Sequence, residues 1–122
     1  MATAASIVAG LVAALHVWIA ILEGLLWQRA TRVFGIPRDQ RDNPLLRAML
    51  QNQGIYNAFL AAGLGWGLVH PEAAVGVQIQ LFFLGCVAVA GVVGAVTASP
   101  RILLVQTVPA LLGIGLRLAA GA

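Results

Sequence analysis

The chain carries little charge and no lysine. Only 9% of its 122 residues are charged, namely four acids and seven basic residues that are all arginine, whereas 61% are hydrophobic. The mean hydropathy is +0.94. So few polar side chains cannot cover the surface of a soluble globule of this size. The composition therefore predicts an integral membrane protein.

Cysteine and histidine are also scarce. Their scarcity excludes several kinds of chemistry. Cys86 is the only cysteine, so an intramolecular disulfide and a redox pair of thiols are both excluded. The two histidines, His16 and His70, are expected at different membrane depths, too far apart to share a metal ion with Glu23. We therefore expect no metal site and no cofactor.

The hydrophobic residues are gathered in four long runs. Each run is long enough, or nearly so, to cross a hydrocarbon core of about 30 Å as a helix. Continuous apolar runs differ from the alternating pattern of a membrane β-barrel. We predict a single all-α domain over residues 1–122, an integral membrane bundle of four transmembrane helices. The runs cover residues 7–27, 49–69, 73–97 and 102–118.

The arginines predict the orientation of these helices. Five of the seven lie between the first and second runs, at about residues 28–48. The positive-inside rule places this loop in the cytoplasm and both termini on the non-cytoplasmic side of a bacterial inner (plasma) membrane, which the chain crosses several times. The net charge of +3 is accounted for by this topology and by contact with membrane lipids. Nucleic acid is not an expected partner.

Glu23 is the only acid within the four runs. His16 lies seven residues before it and Trp27 four residues after it. At about 100° per residue, one helix would present these three side chains within a narrow arc. An ionisable residue inside an apolar span is by default a candidate functional residue. The three residues therefore define the centre of a candidate ligand or proton site.

The second run begins with hydrogen-bonding side chains that are costly to place in a membrane. Asn52 and Tyr56 are four residues apart. Gln53 and Asn57 have the same spacing, so two adjacent polar stripes form on one helix. Gln106 lies at a comparable depth in the fourth run. We predict that these five side chains share a pocket with the acid of the first run in the cytoplasmic half of the bundle.

The third run carries small residues at helical spacing. Ala90, Gly94 and Ala98 are four residues apart, and Gly91 begins a second such series. Small residues at this spacing let helix backbones approach closely. We expect this run to contribute packing within the chain, or a homodimer through its Gly and Ala faces, instead of chemistry.

The polar positions also carry a family resemblance, together with several apolar motifs. The residues concerned are His16, Glu23, Trp27, Val33, Phe34, Gly35, the segment Asn52-Gln53-Gly54-Ile55-Tyr56-Asn57, the segments 59–63 and 82–86, Ala90, Gly91, Gly94, Ala95, Gln106 and Pro109. In these residues the chain resembles the small bacterial four-helix membrane proteins grouped as domain of unknown function 1304. The resemblance implies a four-helix inner-membrane fold and a role for the polar positions. It implies no particular activity.

Each of these features also has a structural interpretation. Glu23 could reach the membrane surface or pair with Arg29 or Arg32. His16 could be a histidine satisfied within the core, the side-chain amides could hold helices together, and Trp27 could be an interfacial anchor. The number of polar groups on faces that could converge favours a pocket over these alternatives.

Three classes of function remain open. The first is proton-linked binding or transport of a small amphipathic molecule, in which Glu23 exchanges a proton for the ligand. The number of helices and the single acid are similar in architecture to the small multidrug-resistance exporters, which work as dimers. The second class is a membrane-embedded enzyme that uses Glu23 and His16 for acid–base chemistry on a lipophilic substrate. The third is an accessory or assembly subunit, for which the polar residues would be a docking surface.

Overall fold

The computed structural model describes residues 1–121, and the elements in that range are all helical. The all-α prediction is confirmed for these residues. The elements are α1 (Ala2–Gly24), α2 (Trp27–Val33), a 3₁₀ turn (Arg38–Gln40), α3 (Pro44–Val69), α4 (Ala73–Thr97), a π-helical segment (Leu103–Thr107) and α5 (Val108–Ala119).

Two of the described helices, α1 and α4, are long and apolar enough to cross a membrane. They contain 23 and 25 residues. The π-helical segment and α5 together form a shorter apolar helix, Leu103–Ala119. α3 is slightly longer than α1 and α4, at 26 residues, but its polar side chains lower its mean hydropathy. The arrangement of four spans and the orientation of the termini stay predictions.

α1 ends at Gly24, and Trp27 begins a different helix. The backbone of Leu26 lies outside the helical region, with φ −107° and ψ 42°. Glycine is a poor helix former, which favours a helix end at this position. The prediction that Trp27 continues the helix face of Glu23 is therefore wrong, because the first apolar run contains a helix end.

The predicted loop at residues 28–48 is largely helical, because it contains all but the first residue of α2, the 3₁₀ turn and the start of α3. α2 ends in a hydrogen-bonded cap. The N–H of Gly35 donates to the carbonyl of Arg32 at 3.2 Å, and the N–H of Ile36 donates to that of Thr31 at 2.9 Å. This Schellman pattern requires a residue in the left-handed region, which Gly35 supplies with φ +68°. The glycine therefore fixes the direction in which the chain leaves α2.

α3 begins at Pro44, before the apolar run that predicts it. Oδ1 of Asn43 accepts the backbone N–H of Leu45 at 2.9 Å. Proline is well suited to the first position of a helix, where its missing N–H leaves no bond unmade. The Asn43-Pro44 pair, which is often a turn signal, therefore starts a helix here.

The chain divides into two compact units. Unit 1 consists of Met1–Ala14 with the chain from Leu60 onward, and unit 2 consists of Leu15–Phe59. α1 and α3 each contribute residues to both units. The single four-helix domain stays a prediction.

Unit 1 is built around an apolar core. Residues of α1, α3, α4 and α5 all contribute to it, and the half-buried ring of Phe83 packs against it. Burial of these side chains is the main favourable term in forming the unit. The buried core residues are Val12, Leu64, Leu84, Val87, Ala88 and Ala110.

Close backbone contact joins α4 to the π-helical segment within unit 1. A Cβ added to Gly91 would lie 2.8 Å from the backbone nitrogen of Thr107. The hydroxyl of Thr107 donates to the carbonyl of Ala88 at 2.9 Å. Gly94, three residues further along α4, faces the side chain of Ile102. These two glycines therefore serve packing within the chain.

Candidate functional site

A partly buried hydrogen bond joins Glu23 of α1 to Asn57 of α3 within unit 2. Nδ2 of Asn57 donates to Oε1 of Glu23 at 2.5 Å. Glu23 is only 7% exposed, and Asn57 is half-buried. The amide satisfies one carboxyl oxygen without bringing a charge of its own. An acid is therefore held in the protein interior by a neutral donor.

Gly54 allows α1 and α3 to come this close. A Cβ at Gly54 would lie 3.0 Å from the backbone nitrogen of Gly24 and 3.1 Å from the carbonyl oxygen of Ala20. Backbone therefore lies against backbone at this crossing, as small residues permit. Asn57 follows Gly54 by almost one helical turn, so its side chain points from the same face of α3 toward Glu23.

His16 is the second titratable residue on the interior face of α1. It is completely buried, at 0% exposure. It precedes Glu23 by about two helical turns, which separates the two Cα atoms by about 10 Å along the helix axis. The same helix face therefore carries a buried acid and a buried imidazole in unit 2.

The remaining predicted site residues of α3 point outward. Asn52 and Gln53 are exposed, and Tyr56 is 54% exposed. The ring of Tyr56 meets the ring of Phe59 edge-on, with 6.1 Å between centroids. Among the described residues of α3, Asn57 is the one that hydrogen-bonds to Glu23.

Two tryptophans of unit 2 are covered by arginines. The guanidinium of Arg47 lies 4.7 Å from the ring centroid of Trp27, and that of Arg29 lies 5.8 Å from that of Trp18. Both distances fall within the range of cation–π attraction. No arginine among residues 1–121 forms an ion pair with Glu23. The interpretation of Glu23 as one half of a salt bridge therefore has no support within that range.

A cavity of about 290 Å³ opens where α1 passes into α2. Glu23 is not among its lining residues, so this cavity is separate from the Glu23–Asn57 hydrogen bond. Its two arginines make it basic. The lining consists of Leu25, Leu26, Trp27, Gln28, Arg29 and Arg32.

Gln106 belongs to unit 1, where it lies half-buried in the π-helical segment. Pro109, three residues later, has no N–H with which to continue the α-helical pattern. The N–H of Val108 instead donates to the carbonyl of Leu103, five residues back. Turns of this π type are frequent at functional positions. The convergence of Gln106 with the residues of unit 2 stays a prediction.

A polar network that the sequence analysis missed lies inside unit 1. Nη2 of Arg117 donates to Oε1 of Gln80 at 2.6 Å and to Oγ of Ser6 at 3.0 Å. Nε2 of Gln80 donates in turn to the carbonyl of Gly67 at 3.1 Å. This carbonyl lacks its usual helical donor, because the residue four positions on is Pro71. The network therefore links α1, α3, α4 and α5.

The sequence did contain a signal for this network. Gln78 and Gln80 are the two amide side chains of the third run, and Arg117 is the one charge in the fourth run. We expected the third run to contribute packing or a homodimer instead of chemistry, and we predicted no site at Arg117. Gln80 and Arg117 are both buried, at 4% and 7% exposure.

Residues 1–121 contain no group of three or more His, Cys, Asp or Glu side chains that could hold a metal ion. Cys86 is a partly buried free thiol.

These features define a class of protein, an all-α chain with two helices able to cross a membrane and with buried ionisable side chains in both units. The chain belongs to the family DUF1304, proteins of unknown function, whose model matches residues 10–118. No curated protein and no solved structure matches it.

Proposed function

We propose that the chain is an integral membrane protein that crosses the bilayer four times. Only 28% of the most apolar window of α4 is buried, which is little for the core helix of a soluble protein. α4 also lies in the middle of the chain, where a signal sequence does not occur. α3 and the helix Leu103–Ala119 supply the other two spans beside α1 and α4.

The proposed function is binding or transport of a small lipophilic cation in exchange for a proton at Glu23. The observation that carries it is the buried Glu23 carboxyl, whose described partner is the neutral amide of Asn57. A carboxylate in such a place is costly unless a positive charge neutralises it. A proton and a cationic ligand are alternative ways to do so. Binding of one therefore displaces the other.

Aromatic rings of unit 2 suit such a ligand. Trp27 already holds the guanidinium of Arg47 over its face. Tyr56 and Phe59 form an exposed aromatic pair on α3, in the same unit as Glu23. Aromatic faces attract organic cations by the same electrostatic interaction that holds these arginines. A ligand that combines positive charge with apolar surface has a chemical match in unit 2.

Binding of tetraphenylphosphonium tests this proposal. The full chain in neutral detergent is titrated with this cation by calorimetry, as wild type, Glu23→Gln and Glu72→Gln. Glu72 is an exposed acid of unit 1 and provides the matched control. We expect Glu23→Gln to weaken binding by about tenfold or more, a loss of about 1.4 kcal/mol or more, with Glu72→Gln unchanged. Equal binding by all three proteins would refute the proposed site.

A docking function is the second candidate, because Asn52, Gln53 and Tyr56 expose polar groups on α3. In a membrane such groups favour a protein partner over lipid. Gly91 and Gly94 pack within the chain, so the proposed homodimer would use this polar face of α3 instead. Asn52→Cys in a Cys86→Ser background tests it, since a homodimer through this face would form a disulfide across the two copies.

A further inference from the structure

Arg117 is a buried cation without a buried anion. It lies in the last turn of α5 and is 7% exposed. The only acid in the described part of unit 1 is Glu72, which is exposed. No ion pair involving Arg117 is present among residues 1–121. Burying an uncompensated charge is costly, so its partner is missing from the described chain.

The guanidinium of Arg117 also has N–H groups that make no described hydrogen bond. It carries five N–H donors. Its two described bonds, to Gln80 and Ser6, are both made by Nη2. Nε is buried and has no hydrogen-bond partner. The Nε–H and the Nη1 group therefore remain available to an acceptor outside the described residues.

The neutral partners hold Arg117 in place but do not neutralise it. The amide of Gln80 is oriented by its bond to the Gly67 carbonyl, which Pro71 leaves without a helical donor. Its oxygen consequently faces the guanidinium at 2.6 Å. Ser6 holds the same nitrogen from α1. A cation fixed in this way is preorganised for an oxygen ligand of negative charge.

The positions of these residues along their helices suggest where the oxyanion comes from. Arg117 is close to the end of α5, Ser6 is about one turn from the start of α1, and Gln80 is about two turns from the start of α4. In the proposed topology these three helix ends lie on the non-cytoplasmic side, near the phosphate groups of the lipids.

We propose that Arg117 is the centre of an oxyanion site that binds phosphate oxygen, supplied by a phospholipid headgroup or by free phosphate. The ligand accepts the hydrogen bonds that Nη1 and Nε leave unmade, and its charge neutralises the guanidinium. Gln80 and Ser6 are positioning residues. The proposal uses unit 1 only, so it stands or falls independently of cation exchange at Glu23.

The first experiment follows the arginine Nε–H signals of the wild-type full chain by nuclear magnetic resonance in neutral detergent. Lysine variants of the exposed arginines assign the Arg117 signal by elimination. Three probes are titrated, namely dioctanoyl phosphatidylglycerol, dioctanoylglycerol, which lacks phosphate, and inorganic phosphate. A saturable shift of the Arg117 signal with the phospholipid alone identifies a lipid headgroup as the source. The same shift with inorganic phosphate identifies a free anion.

The second experiment measures affinity for whichever probe binds. We expect Arg117→Gln to weaken binding by about tenfold or more, because a charge-assisted hydrogen-bond pair is lost. Arg101→Gln removes an exposed arginine of the same unit and leaves the affinity unchanged. If Arg117→Gln does not fold, the titration of the wild-type protein still decides whether phosphate oxygen binds at Arg117. An Arg117 signal that responds no more to phosphate or phosphatidylglycerol than to dioctanoylglycerol overturns the proposal.

Discussion

At the scale of single residues, the candidate site depends on one amide. Asn57 gives Glu23 a hydrogen bond in the interior of unit 2, whereas Asn52, one turn and a residue earlier in α3, is exposed. The spacing of polar residues predicted the stripe to which each belongs. It could not predict which members of the two stripes are buried, because the rotation of a helix about its axis is set by packing against its neighbours.

Replacing Asn57 by leucine removes the described donor to Glu23 and leaves a buried carboxyl oxygen unsatisfied. We expect the free energy of unfolding to fall by about 1–3 kcal/mol. The matched control is Asn52→Leu at an exposed position of the same helix, for which a change within about 0.5 kcal/mol is expected. Both are measured by circular dichroism during unfolding in mixed detergent micelles. A loss of similar size in the two variants would contradict the assigned role of Asn57.

At the scale of helices, the glycines of α3 and α4 fall into two groups. Gly54 and Gly91 lie where another backbone passes, whereas Gly65 and Gly85 have no other part of the chain within 4 Å of a Cβ placed there. The spacing of small residues singled out Gly91 but did not include Gly54. The close approach at Gly54 is visible only in the contacts of the folded helices.

Gly91→Ala and Gly85→Ala make the same substitution on α4, but we expect opposite effects on the stability of the protein. At Gly91 the added methyl group meets the backbone nitrogen of Thr107 at 2.8 Å, so a helix must shift, at a cost of about 1–3 kcal/mol. At Gly85 nothing obstructs the methyl group, and the better helix propensity of alanine adds up to about 1 kcal/mol. The free energy of unfolding, measured as for the Asn57 variant, distinguishes the two glycine variants. Equal stability of both variants would show that the crossing at Gly91 is not as close as described.

Helix boundaries illustrate what sequence patterns miss. The apolar run through Trp27 gave no sign that α1 ends at Gly24, because a glycine in an apolar run is also common inside membrane helices. The start of α3 was predictable in principle, since Asn43 and Pro44 fit the cap and the first position of a helix.

The buried network around Arg117 escaped prediction because its members are far apart in the sequence. Arg117 lies 37 residues from Gln80 and 111 from Ser6.

At the scale of the whole molecule, the proposed four spans would place successive connections on opposite sides of the membrane. Cys86→Ser removes the only cysteine, so single cysteines can report sidedness. We expect Glu72→Cys to react with a membrane-impermeant maleimide in intact spheroplasts. Asp39→Cys should react only after the membrane is permeabilised, because the proposed topology puts the arginine-rich connection in the cytoplasm. Labelling of both from outside, or of neither after permeabilisation, would contradict the four-span topology.

The central claim is that a cation and a proton compete for Glu23. It is tested most directly by calorimetric titration of the protein with tetraphenylphosphonium in two buffers that differ in their heat of ionisation. The difference between the two heats gives the protons released on binding. We predict proton release at a pH where Glu23 is protonated in the free protein, with none from Glu23→Gln and wild-type behaviour from Glu72→Gln. Binding without proton release at any pH, or release that persists in Glu23→Gln, would contradict the account.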